Sequence, residues 1–252
     1  ARVELLSPQP EETVWFLHEL LGLEIVAEEG NSTYLRCYHD YNHNTVKITG
    51  ADESGLGCLT FQATSEAALE RRVEAIQDWG LGDGWDDGDL GLGSAFEFES
   101  PDGHPMEVVW EVDPAEPHED YESRLPNKPD RPPDKGIPAY RIDHVNLLTS
   151  EPCTEVKNFM QQVLGFRLTE QVESADGDAM GSWITINNKM HQISLMQDYT
   201  DAEEGRLHHL GFYYPSREYV LDLADRYAEA DIDVEVGPAQ HGIAEQFFMY
   251  AY

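Results

Sequence analysis

The chain of 252 residues carries 49 acidic against 16 basic side chains and a formal net charge of −33 at pH 7. Nucleic acid and anionic membrane are excluded as partners, since both are gripped through a basic footprint, and no run of about 18 apolar residues is present to cross a bilayer. The length suits two domains of about 125 residues each.

The acidic stretches, such as residues 83–89 and 116–122, are spread along the chain and read as solvated faces. An excess of carboxylate with so little Lys fits a salt-rich cytoplasm, where screening removes the self-repulsion. Cys37, Cys58 and Cys153 are odd in number and form no C-x-x-C. They read as reduced structural thiols, not as a disulfide framework or a structural zinc site.

In chain order, the sequence opens at Ala1 and a first strand is predicted over residues 2–6. A short amphipathic helix follows, closed by Gly22 as its C-cap. Alternating strands are expected within 33–48, a strand over 57–63, a helix over 66–77, and strands within 95–112 broken by the turn Pro101-Asp-Gly-His. Residues 113–139 hold Pro114, Pro117, Pro126, Pro129, Pro132, Pro133 and Pro138 and read as a linker. The series then recurs: a strand over 141–148, a helix closed by Gly165, strands within 182–196, a strand over 207–214 and a helix over 217–230. The chain stops at Tyr252 inside the aromatic run Phe247, Phe248, Tyr250, so both ends read as cut.

The recurrence is an internal repeat. Phe16-Leu-His-Glu-Leu-Leu-Gly-Leu-Glu-Ile-Val matches Phe159-Met-Gln-Gln-Val-Leu-Gly-Phe-Arg-Leu-Thr, an offset of 143 residues. Self-similarity at that length outweighs any local propensity. It predicts an N-terminal domain over 1–112, the linker over 113–139 and a C-terminal domain over 140–252.

In the stretch Gly205-Arg-Leu-His-His-Leu-Gly-Phe, strand alternation sends His208 and His209 to opposite faces, so one of them at most enters a given pocket. His209 is read as the inward residue.

Two β-α-β-β-β units, together with Arg141-Ile-Asp-His144 and Arg206-Leu-His-His209, resemble the type I extradiol ring-cleavage dioxygenases of the vicinal-oxygen-chelate superfamily. The resemblance implies an α+β fold: two tandem domains, each a pair of β-α-β-β-β modules forming a curved mixed sheet. It implies His144 and His209 as two ligands of Fe(II), with Mn(II) as the alternative, and a third, carboxylate ligand in a motif that the chain does not reach. Projected through the repeat from Glu107, that carboxylate falls eight residues past Tyr252. Two His and a carboxylate leave open positions for substrate and O₂.

Four further positions match that family. His191 stands at its acid-base residue, His241 and Tyr250 at the pair that contacts the ring oxygens, and Asn146 near bound oxygen; Trp183 stands eight residues before His191 on the substrate side. In the first domain, Arg2 and Cys58 replace the two His, and a guanidinium cannot ligate a cation. That domain is therefore expected to be metal-free. His39, His43, His104 and His118 have no counterpart and are expected in solvent-facing or capping roles, while His208 is expected to point away from the metal.

The implied reaction joins a small aromatic diol and O₂ to give a ring-opened semialdehyde, and the implied assembly is a homotetramer or another homo-oligomer. Catechol is the expected substrate. Homoprotocatechuate is the alternative, disfavoured because Val236 stands where its dioxygenases place an Arg for the side-chain carboxylate. A metal-free binding module of the same superfamily would have no use for His144, His209, His191 and His241 together, and an isomerase of the glyoxalase kind would need ligands from both domains.

Overall fold

The computed structural model describes residues 1–116, 135–150, 153–200 and 205–252. Most of the expected linker, and His118, lie outside them.

Four successive modules repeat one order of elements. The first runs β1 (Arg2–Ser7), α1 (Pro10–Trp15, continued by a π-helical turn Phe16–Leu20), β2 (Glu24–Glu29), β3 (Ser32–Arg36) and β4 (Val46–Gly50). Next come β5 (Gly55–Gln62), α2 (Glu66–Asp78), β6 (Gly84–Asp86), β7 (Ala95–Glu99) and β8 (Pro105–Val109). The third module is β9 (Arg141–Thr149), α3 (Thr154–Gln162), β10 (Arg167–Glu173), β11 (Ala179–Thr185) and β12 (Ile193–Gln197). The fourth holds β13 (Leu207–Tyr213), α4 (Arg217–Glu229), β14 (Val234–Gln240) and β15 (Phe247–Ala251). This is the expected α+β fold of paired modules. Gly22 and Gly165 end the equivalent helices at φ +65° and +83°, where a side chain would be strained.

Contacts gather the chain into two compact units, each drawing on both halves of the sequence. One comprises Ala1–Pro8, Ala51–Asp113 and Asp143–Gly211; the other comprises Gln9–Gly50, Pro114–Ile142 and Phe212–Tyr252. In the first unit, β1, β5, β8, β7 and β6 lie side by side in that order. The helix α2 starts at Ser65, whose side chain accepts from the Ala68 N–H, and it buries Ala68, Leu69, Val73 and Ile76. From α3, Phe159 is fully buried and meets Phe98 at 5.8 Å and Trp79 at 5.7 Å between ring centroids, so the second and third modules share this core. Burying side chains of this size contributes about 1.5–3 kcal/mol each.

The second sheet has the order β10-β11-β12-β9-β13. Its interior strand β9 runs parallel to the central strand β12, with Asn146 opposite Ser194, while β11 sets Trp183 opposite Ser194. Trp183, Ser194 and Asn146 thus form a row on one face, and the period of two puts His144 on that face as well.

In the second unit, β2, β3 and β4 make an antiparallel meander, and Phe16 stacks on Tyr227 of α4 at 5.5 Å. The described end of the expected linker packs here, with the Ile137 and Ala139 N–H groups donating to the carbonyls of Leu20 and Leu21. The strands β14 and β15 form an antiparallel hairpin beyond the last element expected from the sequence. Its pairing arises from the β-branched and aromatic residues Val234, Val236, Phe247 and Phe248, which favour a pleated surface. Similarly, β6 falls inside an acidic stretch read as a solvated face. Trp85, meeting Phe96 of β7 at 5.4 Å, supplies the cross-strand contact that outweighs the charge.

His104 corrects the expectation of a solvent-facing role, since it is fully buried. Its Nε2–H donates to the Leu148 carbonyl at 2.8 Å and its Nδ1 accepts from the Ser100 hydroxyl at 2.7 Å, a neutral tautomer assigned from its partners. Beside it, the Asp102 carboxylate accepts from the N–H and hydroxyl of Ser150. Together they staple the turn before β8 to the end of β9.

Burial pushes the His104 pKa below its ordinary value, against the pull of the Leu148 carbonyl and Asp102. Below about 6.5 the unfolded chain therefore takes up a proton that the folded one refuses, and stability should fall as pH drops through that value. Urea unfolding of wild type and His104→Gln between pH 5.5 and 7.5 checks this: the wild-type slope should flatten in the variant. At pH 7.5, His104→Leu should cost about 1–3 kcal/mol for each polar group left unpaired.

Candidate active site

The first unit brings His144, His209, His191 and Asn146 together. Nε2 of His144, from β9, lies 2.9 Å from Nε2 of His209, from β13, with the rings at 86°. Two nitrogens bound at right angles to one ion, each about 2.1 Å away, stand about 3.0 Å apart. The pair thus already has the spacing of two neighbouring coordination positions. This closeness depends on Gly211: a Cβ there would come within 2.5 Å of Cε1 of His144, so the strand next to β9 can carry no side chain at that point.

Behind the pair, each imidazole has an outer partner. Nδ1 of His144 lies 2.9 Å from Oδ2 of Asp143, which fixes the proton on Nδ1 and leaves the Nε2 lone pair facing His209. Oδ1 of the same carboxylate lies 2.9 Å from Nζ of Lys189, and the ammonium also donates to the Asp143 carbonyl. Burial works to raise the Asp143 pKa, but the hydrogen bond from His144 and the charge of Lys189 outweigh it and hold the group well below the carboxylate range. Nδ1 of His209 meets Nδ1 of His208 at 2.7 Å. His208 is exposed, as a residue on the other strand face should be, and its ring curls back to this outer nitrogen.

His191 is 4% exposed and its ring stands edge-on to that of His144 at 4.6 Å. Asn146, 3% exposed, sends Nδ2 to Sδ of Met196, and its buried Oδ1 has no hydrogen-bond partner among the described residues. Such an atom is costly unless something else meets it. Trp183 is buried on β11, where its indole lies against Gly181.

Among the described residues, Asp143, His144 and His191 also bring possible ligand atoms within 4.8 Å of one another. The Asp143 carboxylate, however, is committed to Nδ1 of His144 and to Lys189, on the far side of the ring from Nε2. The donor set therefore fits a divalent ion best at His144 and His209, with Asp143 as the outer support. The Asp143-His144 pair stood in the sequence without a role for its Asp. Lys189 gave no sequence signal, since it is an ordinary loop lysine until the strands are placed.

In the second unit, His241 and Tyr250 lie on one hairpin. The His241 N–H donates to the Gln246 carbonyl, its Nδ1 accepts from the Ile243 N–H, and its ring packs on Phe248 at 4.9 Å. Tyr250 stands opposite Val236 across the β14-β15 pairing. Burial, then the nearby Glu235, pushes its hydroxyl pKa up.

At the equivalent place in the N-terminal repeat, Arg2 lies 2.9 Å from Asp89 and 3.8 Å from Glu107, and Glu107 accepts from the Thr60 hydroxyl at 2.5 Å. The Cys58 thiol is pushed up by burial and by Glu107 and Glu4. A thiol held protonated beside a guanidinium is a poor ligand.

The model of the glyoxalase/bleomycin resistance protein/dioxygenase superfamily matches residues 141–251. Metapyrocatechase of Geobacillus stearothermophilus is 46% identical over 252 residues, which is 100% of this chain and 76% of that protein. A manganese-dependent 2,3-dihydroxybiphenyl 1,2-dioxygenase of Geobacillus genomosp. 3 is 31% identical over 251 residues, covering 98% of this chain and 79% of that one. Among solved structures, the 2,3-dioxygenase LapB from Pseudomonas sp. KL28 superposes with a TM-score of 0.89 at 28% identity, covering 100% of this chain and 87% of its own. The chain belongs to the metapyrocatechase family of ring-cleavage dioxygenases, within the glyoxalase/bleomycin resistance protein/dioxygenase superfamily.

Proposed function

We propose that the protein is a metal-dependent extradiol dioxygenase that opens a catechol ring next to the diol and incorporates O₂ to give a semialdehyde. The observation that carries this reading is the pair of Nε2 atoms 2.9 Å apart, on rings whose planes stand at 86°, supported by the 46% identical metapyrocatechase. Fe(II) is the proposed ion, with Mn(II) as the alternative suggested by the relative named for it. When bound, such an ion supplies adjoining positions for diol and O₂ and a route for electrons between them.

The chain's own residues would do the rest. His144 and His209 hold the ion; the Asp143 carboxylate accepts from Nδ1 of His144 and keeps its Nε2 lone pair directed at it, while His208 meets Nδ1 of His209 from behind. His191, almost wholly buried and edge-on to His144, moves a proton at the reacting oxygen, the task for which an imidazole titrating near neutral pH is suited. The open acceptor of Asn146 lies on the same strand face. By resemblance, His241 and Tyr250 of the β14-β15 hairpin bind the oxygens of the diol, and Trp183 lines the substrate side. Reduced Cys37, Cys58 and Cys153 support a cytoplasmic setting, and the net charge supports a salt-rich one. A homotetramer or another homo-oligomer is the proposed assembly.

His144→Ala and His209→Ala should each lose bound metal and ring cleavage of catechol, measured by elemental analysis and by absorbance of the semialdehyde on the complete gene product. Retention of both metal and activity in either variant would overturn the ligand assignment. His191→Phe should keep its metal and lose about 10²- to 10⁴-fold in kcat, the usual contribution of a positioned acid-base. An unchanged kcat removes His191 from the reaction.

Val236 bears on the substrate. Opposite Tyr250 it offers no cation, and a carboxylate entering a partly dry site without a partner is costly. Catechol should therefore have the higher kcat/KM, and Val236→Arg should narrow or reverse its lead over homoprotocatechuate by supplying a charge-assisted partner. The comparison needs constant salt, because the acidic surface repels an anionic substrate less as ionic strength rises. A wild-type preference for homoprotocatechuate at molar salt would defeat this argument.

A further inference from the structure

The loop between β11 and β12 carries Lys189 two residues before His191, and its ammonium reaches back to β9. Its Nζ is 2.9 Å from Oδ1 of Asp143 and also bonds the Asp143 carbonyl, while Oδ2 of the same carboxylate is 2.9 Å from Nδ1 of His144. Lys189 thus touches both the side chain and the backbone of the residue behind His144. Bonds within the rest of the loop set its shape. Asn187 accepts from the Lys189 N–H, the Ile186 N–H donates to Gln192, and the Gln192 N–H donates to the Ile184 carbonyl. The loop is also tied to neighbouring strands by Arg167 of β10, which donates to the Asn187 carbonyl, and by the Val145 N–H of β9, which donates to the Gln192 carbonyl; Lys189 is the tie that reaches the carboxylate behind His144.

We propose that Lys189 is a positioning residue that acts through Asp143, fixing the orientation and tautomer of His144 and, through the loop, the stance of His191 beside it. The inference rests on the reading of His144 as a metal ligand. Without the ammonium, the buried carboxylate loses its cation and can turn away from Nδ1. His144 can then place its proton on Nε2, which closes the lone pair that a metal needs. Outer partners of this kind are typically worth 10- to 100-fold in metal affinity or activity. An ammonium at this distance can be replaced by a guanidinium but not by a thioether, since only the former donates to a carboxylate.

The test is Mn(II) titration of the metal-stripped complete gene product, followed by electron paramagnetic resonance, in wild type, Lys189→Met, Lys189→Arg and His144→Ala. Lys189→Met should weaken Mn(II) about 10- to 100-fold and alter the spectrum of the bound ion, while Lys189→Arg should restore most of both. His144→Ala should bind no Mn(II) at this site. If Lys189→Met binds Mn(II) as wild type does, with an unchanged spectrum, while His144→Ala fails to bind, the inference about Lys189 is overturned and the ligand assignment stands. If His144→Ala also binds as wild type does, the ligand assignment itself falls, and the inference with it. A merely structural role would lower the unfolding midpoint of Lys189→Met without moving affinity or spectrum, and that result also counts against the inference.

Discussion

Everything at the candidate site depends on two imidazoles from neighbouring strands meeting at 2.9 Å and 86°. Side chains on adjacent strands ordinarily stand parallel and about 5 Å apart, so two rings reach one point only when one strand gives way to the other. Gly211 provides that room on β13, two residues beyond His209 and on its face, where a Cβ would collide with His144. A glycine inside a strand weakens it through backbone entropy and lost packing. Here that cost is offset by the neighbours of β9, which lies between β12 and β13 and is anchored at both ends. Lys189 and Asp143 hold its beginning, while His104 and Asp102 hold its end.

Those anchors explain why polar groups sit so deep. Asp143, Asn146, His191, Asp102 and His104 are all buried, and burial of a charge or an amide without partners is unfavourable by several kcal/mol. Asp143 meets this with a cation and an imidazole, Asp102 with the N–H and hydroxyl of Ser150, and His104 by staying neutral between Ser100 and Leu148. Polar networks of this kind specify one arrangement because any slip of the strand leaves several groups unpaired at once. The sheet is thereby held in one arrangement around the two facing imidazole nitrogens, which is what a site with geometric demands of a few tenths of an ångström requires.

Much of this was legible in the chain. The repeat at 143 residues, with Gly22 and Gly165 at equivalent helix ends, announced the module, and the structure places both in the left-handed conformation that only glycine adopts freely. Alternation along Asp143-His144-Val145-Asn146 put the imidazole and the amide on one face. Three things were not legible. The burial of His104 arises from a tertiary contact 44 residues away, so its isolated position in a turn suggested solvent. Lys189 is a contact of the same kind, since its partner lies 46 residues back. The hairpin β14-β15 was hidden because Gly237, Pro238 and Gly242 punctuate it, and punctuation of that kind reads as loop unless the cross-strand partners are known.

The N-terminal repeat shows the same scaffold with a different solution to the same electrostatic problem. At the place of His144 it has Arg2, whose guanidinium lies between Asp89 and Glu107, and at the place of His209 it has a protonated thiol. A buried carboxylate such as Glu107 needs a cation, and a fixed guanidinium provides one without any requirement for open positions or exchange. A metal ion would satisfy the same carboxylate but would add reactivity. Two repeats can thus share a fold while differing in the side chains at equivalent places, an arginine and a thiol in one and two imidazoles in the other, and the difference lies in two residues on two adjacent strands. Function in this chain is accordingly carried by the identity of the side chains at the strand centres, and the sheet itself would accommodate either solution.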